Sequence, residues 1–184
     1  MRCIMANPLI DIRTILPKTI LVKGKSNEAT SSPLTALDGK YIGLYFSASW
    51  CPPCKQFTPK LKEAYENLTS AGKPFEVIFV SSDNNEESFD AYYGSMPWAA
   101  LPFNSPQKAE LSSRFSVKGI PTLVMLSPDG QVLSYNARSA VMSDPTNFPW
   151  EGQAESSANM QQMLIYLGLA LWILYRMWCF MNNE

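Results

Sequence analysis

Five residues constrain this chain more than any others: Trp50-Cys51-Pro52-Pro53-Cys54. They follow an apolar run, Tyr41 to Phe46, and precede a helical pattern beginning at Lys55. Two cysteines separated by two residues at a strand-to-helix junction can close a disulfide across one turn. The first sulfur then lies at the helix N-terminus, where unpaired N–H groups and the dipole favour negative charge. In such a place a thiol pKa falls from about 8.5 to between roughly 3.5 and 7.5, so the sulfur is nucleophilic at neutral pH. Pro52 suits a helix start because proline has no N–H to lose there. With Pro53 it stiffens the short ring and tunes its reduction potential. A zinc half-site would need two further ligands, yet the chain has no histidine and its other cysteines stand at positions 3 and 179. A purely structural disulfide over so short a loop would restrain the unfolded chain little. The flanking aromatic and the strand–helix setting favour redox chemistry, with no metal.

The lack of histidine removes every mechanism that needs an imidazole base, Ser-His and Cys-His nucleophile systems included. Net charge is −1 and no basic stripe appears, which argues against nucleic acid as a partner. Four cysteines with a single meaningful spacing do not make a secreted disulfide framework. A hydrophobic content of 46% over 184 residues supports one cored domain with appendages.

Residues 1–15 form an N-terminal segment without an apolar run of secretory length, so no signal peptide is expected. The redox domain is expected over 16–150. Thr19 to Val22 reads as a short edge strand, followed by a polar stretch from Lys23 to Ser32. Tyr41 to Phe46 is apolar without alternation, the mark of a strand buried on both faces. A helix is predicted from Pro53 to Ser70, with Pro59 kinking it and Gly72 ending it. Phe75 to Val80 is a second buried strand and Glu86 to Tyr93 a short helix. Met96 to Phe103 reads as an apolar loop bounded by prolines. A helix from Pro106 to Phe115 follows, then strands at Thr122–Leu126 and 131–135 joined by a turn at Asp129-Gly130. Another short helix is expected near Ser139, and Phe148-Pro149-Trp150 closes the domain. This order specifies an α/β fold, a mixed central sheet flanked by helices.

Residues 151–162 are polar and small, a linker. Residues 163–181 are apolar on every face, interrupted only by Arg176 near the far end. Nineteen helical residues span about 28 Å, close to a hydrocarbon core of about 30 Å. The stretch lacks the polar face of an interfacial helix, so a transmembrane tail anchor is expected, against the alternative of a buried or dimerisation helix. That topology leaves the redox domain facing the cytosol, at the mitochondrial outer membrane or the endoplasmic reticulum. Cys3 and Cys179 read as spectators, with Cys179 also open to acylation.

Several blocks together resemble one family. Phe46-Ser-Ala-Ser-Trp-Cys-Pro-Pro-Cys54, Phe57-Thr-Pro59, Met96-Pro-Trp98, Leu101-Pro-Phe103, Gly119-Ile-Pro-Thr122, Asp144-Pro145 and Phe148-Pro-Trp150 are similar to those of tryparedoxins. Nucleoredoxins share most of them. The resemblance implies a thioredoxin-like fold and thiol–disulfide exchange without metal or organic cofactor. It further implies a small dithiol reductant (trypanothione or glutathione) and peroxiredoxin-type peroxidases downstream. It makes Cys51 the nucleophile and Cys54 the resolving thiol, and places Ile120-Pro121 as a cis-proline loop facing them. Trp50, Pro52, Ile120, Pro121 and Arg138 become substrate-binding candidates, supported by Tyr45 and Pro53. Tyr45 stands where general thioredoxins keep a buried aspartate. Trp50 is open to a second reading as core packing, and Arg138 to one as a solvated charge. The tryparedoxin motif Ser-Trp-Asp-Glu reads here Ser81-Ser82-Asp83-Asn84, a departure toward the nucleoredoxin pattern. That pattern leaves a second function in play, a redox-responsive binding or adaptor protein.

Overall fold

The computed structural model describes residues 16–23 and 29–151. Among the described residues seven strands, β1 (Thr19–Lys23), β2 (Ala29–Pro33), β3 (Tyr41–Ser47), β4 (Phe75–Ser81), β5 (Ala99–Ala100), β6 (Thr122–Leu126) and β7 (Val132–Ser134), form one sheet. Its order is β2-β1-β5-β4-β3-β6-β7. β3, β4 and β5 run parallel, while the other neighbours pair antiparallel. Among the described residues four α-helices, α1 (Pro52–Ser70), α2 (Glu86–Gly94), α3 (Gln107–Arg114) and α4 (Arg138–Ser143), connect or flank these strands.

The unbroken apolar runs are explained by burial of both sheet faces. Along β3, Ile42, Leu44 and Phe46 point to one side and Tyr45 to the other. β4 divides likewise, Phe75, Val77 and Phe79 against Ile78 and Val80. On the first face, α1 contributes Phe57 and Leu61, α2 Phe89 and Tyr93, and α4 Val141. The second face receives Leu111 and Phe115 from α3 and its C-terminal cap. Since successive side chains alternate, a strand sandwiched between helices needs apolar residues at every position.

Three expectations are corrected. β1 is no edge strand, because β2 covers one side of it in a register running from Thr19–Pro33 to Lys23–Ala29. The polar stretch therefore contains a strand, whose pairing to β1 is made by the backbone and needs no apolar residue. The proline-bounded loop contains β5, whose two residues pair with both β1 and β4. As expected, α1 runs through Pro59 to Ser70. Among the described residues no helix is long and apolar enough to cross a membrane. The expected span at 163–181, most of the linker and Cys3 and Cys179 lie outside the described residues.

Candidate active site: a cysteine pair at the head of a helix

Cys51 is the N-cap of α1, in extended conformation at φ −93° and ψ 108°. The next two positions are Pro52 and Pro53, which carry no N–H, so the first amide able to face the cap belongs to Cys54. It donates to Cys51 Sγ at 3.3 Å. A helix head that normally offers several unpaired donors thus offers the sulfur one. Cys51 and Cys54 are joined as a disulfide, with Cα atoms 5.2 Å apart. Cys51 is 4% exposed and Cys54 fully enclosed, so attack from outside reaches Cys51 first.

Opposite lies the Ile120–Pro121 bond, which is cis as the family resemblance implies. The Ile120 carbonyl oxygen stands 3.8 Å from Cys51 Sγ. Ile120 also packs with Ala48 around the two sulfurs. Lacking an N–H, Pro121 presents no donor of its own beside the pair.

Beneath Cys54 is a cluster of four hydroxyls. Tyr45 OH lies 2.8 Å from Thr58 Oγ1, which lies 2.6 Å from Tyr92 OH. Ser47 Oγ donates to Tyr45 OH at 3.0 Å and lies 3.2 Å from Tyr92 OH. Thr58 Oγ1 also reaches the Cys54 carbonyl at 2.9 Å. Burial pushes the Tyr45 phenol well above the ordinary tyrosine range, so that phenol stays neutral. Tyr45 therefore supports the helix head from below, in place of a carboxylate.

The segment before Cys51 is held by the end of β4. The Ser82 amide donates to the Ser47 carbonyl at 2.9 Å. The Ser49 amide donates to Asp83 Oδ1 at 2.7 Å, and Ser81 Oγ donates to Asp83 Oδ2 at 2.8 Å. Trp50 Nε1 donates to the Ser82 carbonyl at 3.1 Å. Trp50 is 54% exposed, which rules out the reading as core packing; Trp98, at 1%, is core. Ser82 and Asn84 are both exposed, while Asp83 between them is buried. Desolvation lowers the Lys108 pKa, and the nearby Asp83 charge opposes that shift.

Trp50, Pro52, Pro53, Ile120 and Pro121 thus gather around the cysteines. Arg138 is set apart: half-buried at the start of α4, it lines a cavity with Asn136, Ser139, Met142 and Ser143 that includes neither cysteine. Sequence reasoning missed Asp83 as a clamp, Tyr92 and Ser47 as parts of the hydroxyl cluster, and Asn136. Asn136 Oδ1 accepts from the amides of Leu123 (3.4 Å) and Arg138 (3.2 Å), tying β6 to the start of α4. A local signal existed only for Asp83, as the third residue of the Ser81–Asn84 motif. Among the described residues no group of three or more Cys, Asp or Glu could hold a metal ion.

Comparison with known proteins gives the same picture. The pattern of the thioredoxin-like family matches residues 39–132. Tryparedoxin of Trypanosoma brucei brucei is 48% identical over 139 residues, covering 73% of this chain and 94% of that protein. A probable nucleoredoxin of Arabidopsis thaliana is 47% identical over 131 residues, covering 68% of this chain and 23% of its own length. The chain spans less than a third of the length of the nucleoredoxins it matches. Among solved structures, a tryparedoxin II complexed with glutathionylspermidine superposes with a TM-score of 0.68 and 37% identity, covering 77% of this chain and 99% of that one.

Proposed function

Because the chain belongs to the thioredoxin-like family, we propose that it is a protein-disulfide reductase of tryparedoxin type. It passes two electrons from a small dithiol to protein disulfides, such as those of peroxiredoxin-type peroxidases. One observation carries this reading: Cys51 Sγ caps α1 through the Cys54 amide and faces the Ile120 carbonyl beside cis Pro121.

In the reduced enzyme the Cys51 thiolate is stabilised by the helix head. It attacks one sulfur of a substrate disulfide, forming a mixed disulfide and expelling the other sulfur as a thiolate. Cys54 then gives up its proton and attacks Cys51 Sγ, closing the Cys51–Cys54 bond and releasing the second substrate thiolate. The substrate leaves with two electrons more, its two thiolates taking up the Cys54 proton and one from solvent. A dithiol such as trypanothione, or a pair of monothiols such as glutathione or glutathionylspermidine, restores the enzyme by the reverse exchanges. Trp50, Pro52, Ile120 and Pro121 border the sulfur and contact the incoming disulfide. Arg138 receives a carboxylate of the reductant. The tryparedoxin II bound to glutathionylspermidine supports a reductant of this class; Ser82 and Asn84, in place of tryptophan and glutamate, weaken its capture without touching the sulfur chemistry.

Those two residues and the nucleoredoxin relatives favour a second reading, a redox-responsive adaptor whose dithiol state gates a partner. Insulin reduction with a dithiol donor separates the two. Many turnovers per enzyme are expected; a single stoichiometric oxidation, with capture of one partner, would replace the enzyme by the adaptor.

The domain at 16–150 is further proposed to be fastened to a membrane by the helix at 163–181 and to face the cytosol, from the mitochondrial outer membrane or endoplasmic reticulum. The support is the length and all-round apolarity of that segment. Full-length protein should stay in the pellet after alkaline carbonate extraction, and a chain ending at Glu151 should be in the supernatant. Release of both would remove the anchor, and protection of the domain from protease in intact organelles would reverse the topology.

A further inference from the structure

Two open cavities lie side by side along the edge of the site. The first, of about 500 Å³, is lined by Val117, Lys118, Pro121, Tyr135 and Asn136 among others. The second, of about 520 Å³, is lined by Asn136, Arg138, Ser139, Met142 and Ser143. Asn136 belongs to both, and its side-chain oxygen is turned back onto the Leu123 and Arg138 amides, so it forms a low saddle between them. The groove begins at Pro121, the residue after the carbonyl that faces Cys51 Sγ.

Its surface has an unusual composition. Among the described residues the exposed large apolar side chains are Trp50, Tyr135 (38% exposed) and Met142 (51%). Trp50 adjoins Cys51 and the other two line the groove. Exposed apolar side chains gathered at one end of a domain mark an interaction surface better than the same residues scattered singly. Among the described residues both charged side chains of the lining, Lys118 and Arg138, are cations, and no carboxylate lines either cavity. Among the described residues neither cation takes part in an ion pair, whereas Lys40, Lys60 and Lys62 each do.

We propose that this groove docks an acidic segment of the protein substrate, lying next to the disulfide that Cys51 attacks. An apolar side chain of that segment rests on Tyr135 or Met142, and its carboxylates face Lys118 and Arg138. Complementary charge of this kind selects among partners and speeds encounter more than it adds raw affinity. The inference rests on the reading of the chain as a protein-disulfide reductase and adds the charge of the substrate to it.

The test uses the full chain in detergent and two disulfide-bridged peptides, identical except that one carries glutamates and the other lysines beside the bridge. The oxidation of reduced enzyme by each peptide is followed at low salt, separately from reduction of the enzyme disulfide by glutathione. Wild type should prefer the acidic peptide by roughly three- to tenfold in kcat/KM, through KM, since each exposed charge contact contributes about two- to fivefold. Lys118→Glu should lose that preference, Lys118→Glu with Arg138→Glu should reverse it, and Lys73→Glu, exposed and outside the groove, should keep it. About 0.5 M salt should level the two peptides. Equal rates for both peptides at low salt would overturn the acidic occupant and leave the reductase reading standing. Loss of the glutathione step in Lys118→Glu by the same factor as the peptide step would assign Lys118, like Arg138, to the reductant and overturn the acidic substrate segment. Failure to oxidise with either peptide would overturn the reductase reading and this inference with it.

Discussion

Cys51→Ser is expected to lower disulfide reduction by at least about a thousandfold, because a serine hydroxyl is neither ionised near neutral pH nor nucleophilic toward a disulfide. Cys54→Ser should fail as completely in turnover and differently in kind. It should still attack, and it should accumulate mixed disulfides that a reducing gel resolves into enzyme and partner. The assignment follows from exposure and geometry together. Cys51 alone reaches the surface, and its sulfur is the one that receives the helix-head amide. Cys54 is enclosed and meets only what is already bonded to Cys51. Equal trapping by the two variants would refute this division of roles. The same experiment in the native cell identifies the protein substrate.

Trp150→Ala should be the most destabilising single change at the end of the domain, at about 3–5 kcal/mol. Trp150 is buried, sits 5.7 Å from Phe75 and 5.2 Å from Phe148 by ring centroids, and meets both edge-on. Phe148 in turn reaches Tyr41, so the cluster ties the last residues of the domain to the starts of β3 and β4. Trp150 also holds a left-handed backbone at φ 58°, which a residue with a large side chain adopts only where packing holds it. Against a total stability of about 5–15 kcal/mol, such a loss is a large share. The urea midpoint of a chain ending at Glu151 should fall accordingly. A shift equivalent to less than about 1 kcal/mol would mean that the domain closes before Phe148.

Most of the fold was legible because its signals are local. The strand–helix junction at Cys51, the runs at Tyr41 and Phe75, and the Asp129-Gly130 turn each carry their own evidence within a few residues. β2 was not legible. Threonine and serines on an edge strand look like a loop until β1 is known to need a partner. β5 is two residues long and exists only because β1 and β4 lie on either side of it. The site divides in the same way. Cys51 and Cys54 stand in one motif, and the Ile120-Pro121 block was visible through family likeness. The clamp between Asp83 and Ser49 joins residues 34 apart, and Asn136 reaches Leu123 from 13 residues away. Nothing in the sequence near Asp83 or Asn136 states what it will touch.

The hydroxyl cluster beneath the cysteines has a bearing on how the interior responds while the sulfurs change state. Every hydroxyl can donate and accept, and, taken singly, three of the contacts among Tyr45, Ser47, Thr58 and Tyr92 are satisfied with the hydrogen on either oxygen. Ser47 gives its hydrogen to Tyr45 and Thr58 gives its own to the Cys54 carbonyl, so Tyr45 donates to Thr58. Only the Tyr92 hydrogen has a choice, between Thr58 and Ser47, which it can exercise with no heavy atom displaced. A buried carboxylate in that position would impose a fixed charge on both oxidation states. The hydroxyls instead act like a few immobilised solvent molecules, three of them locked in direction and one, Tyr92, able to turn between two acceptors.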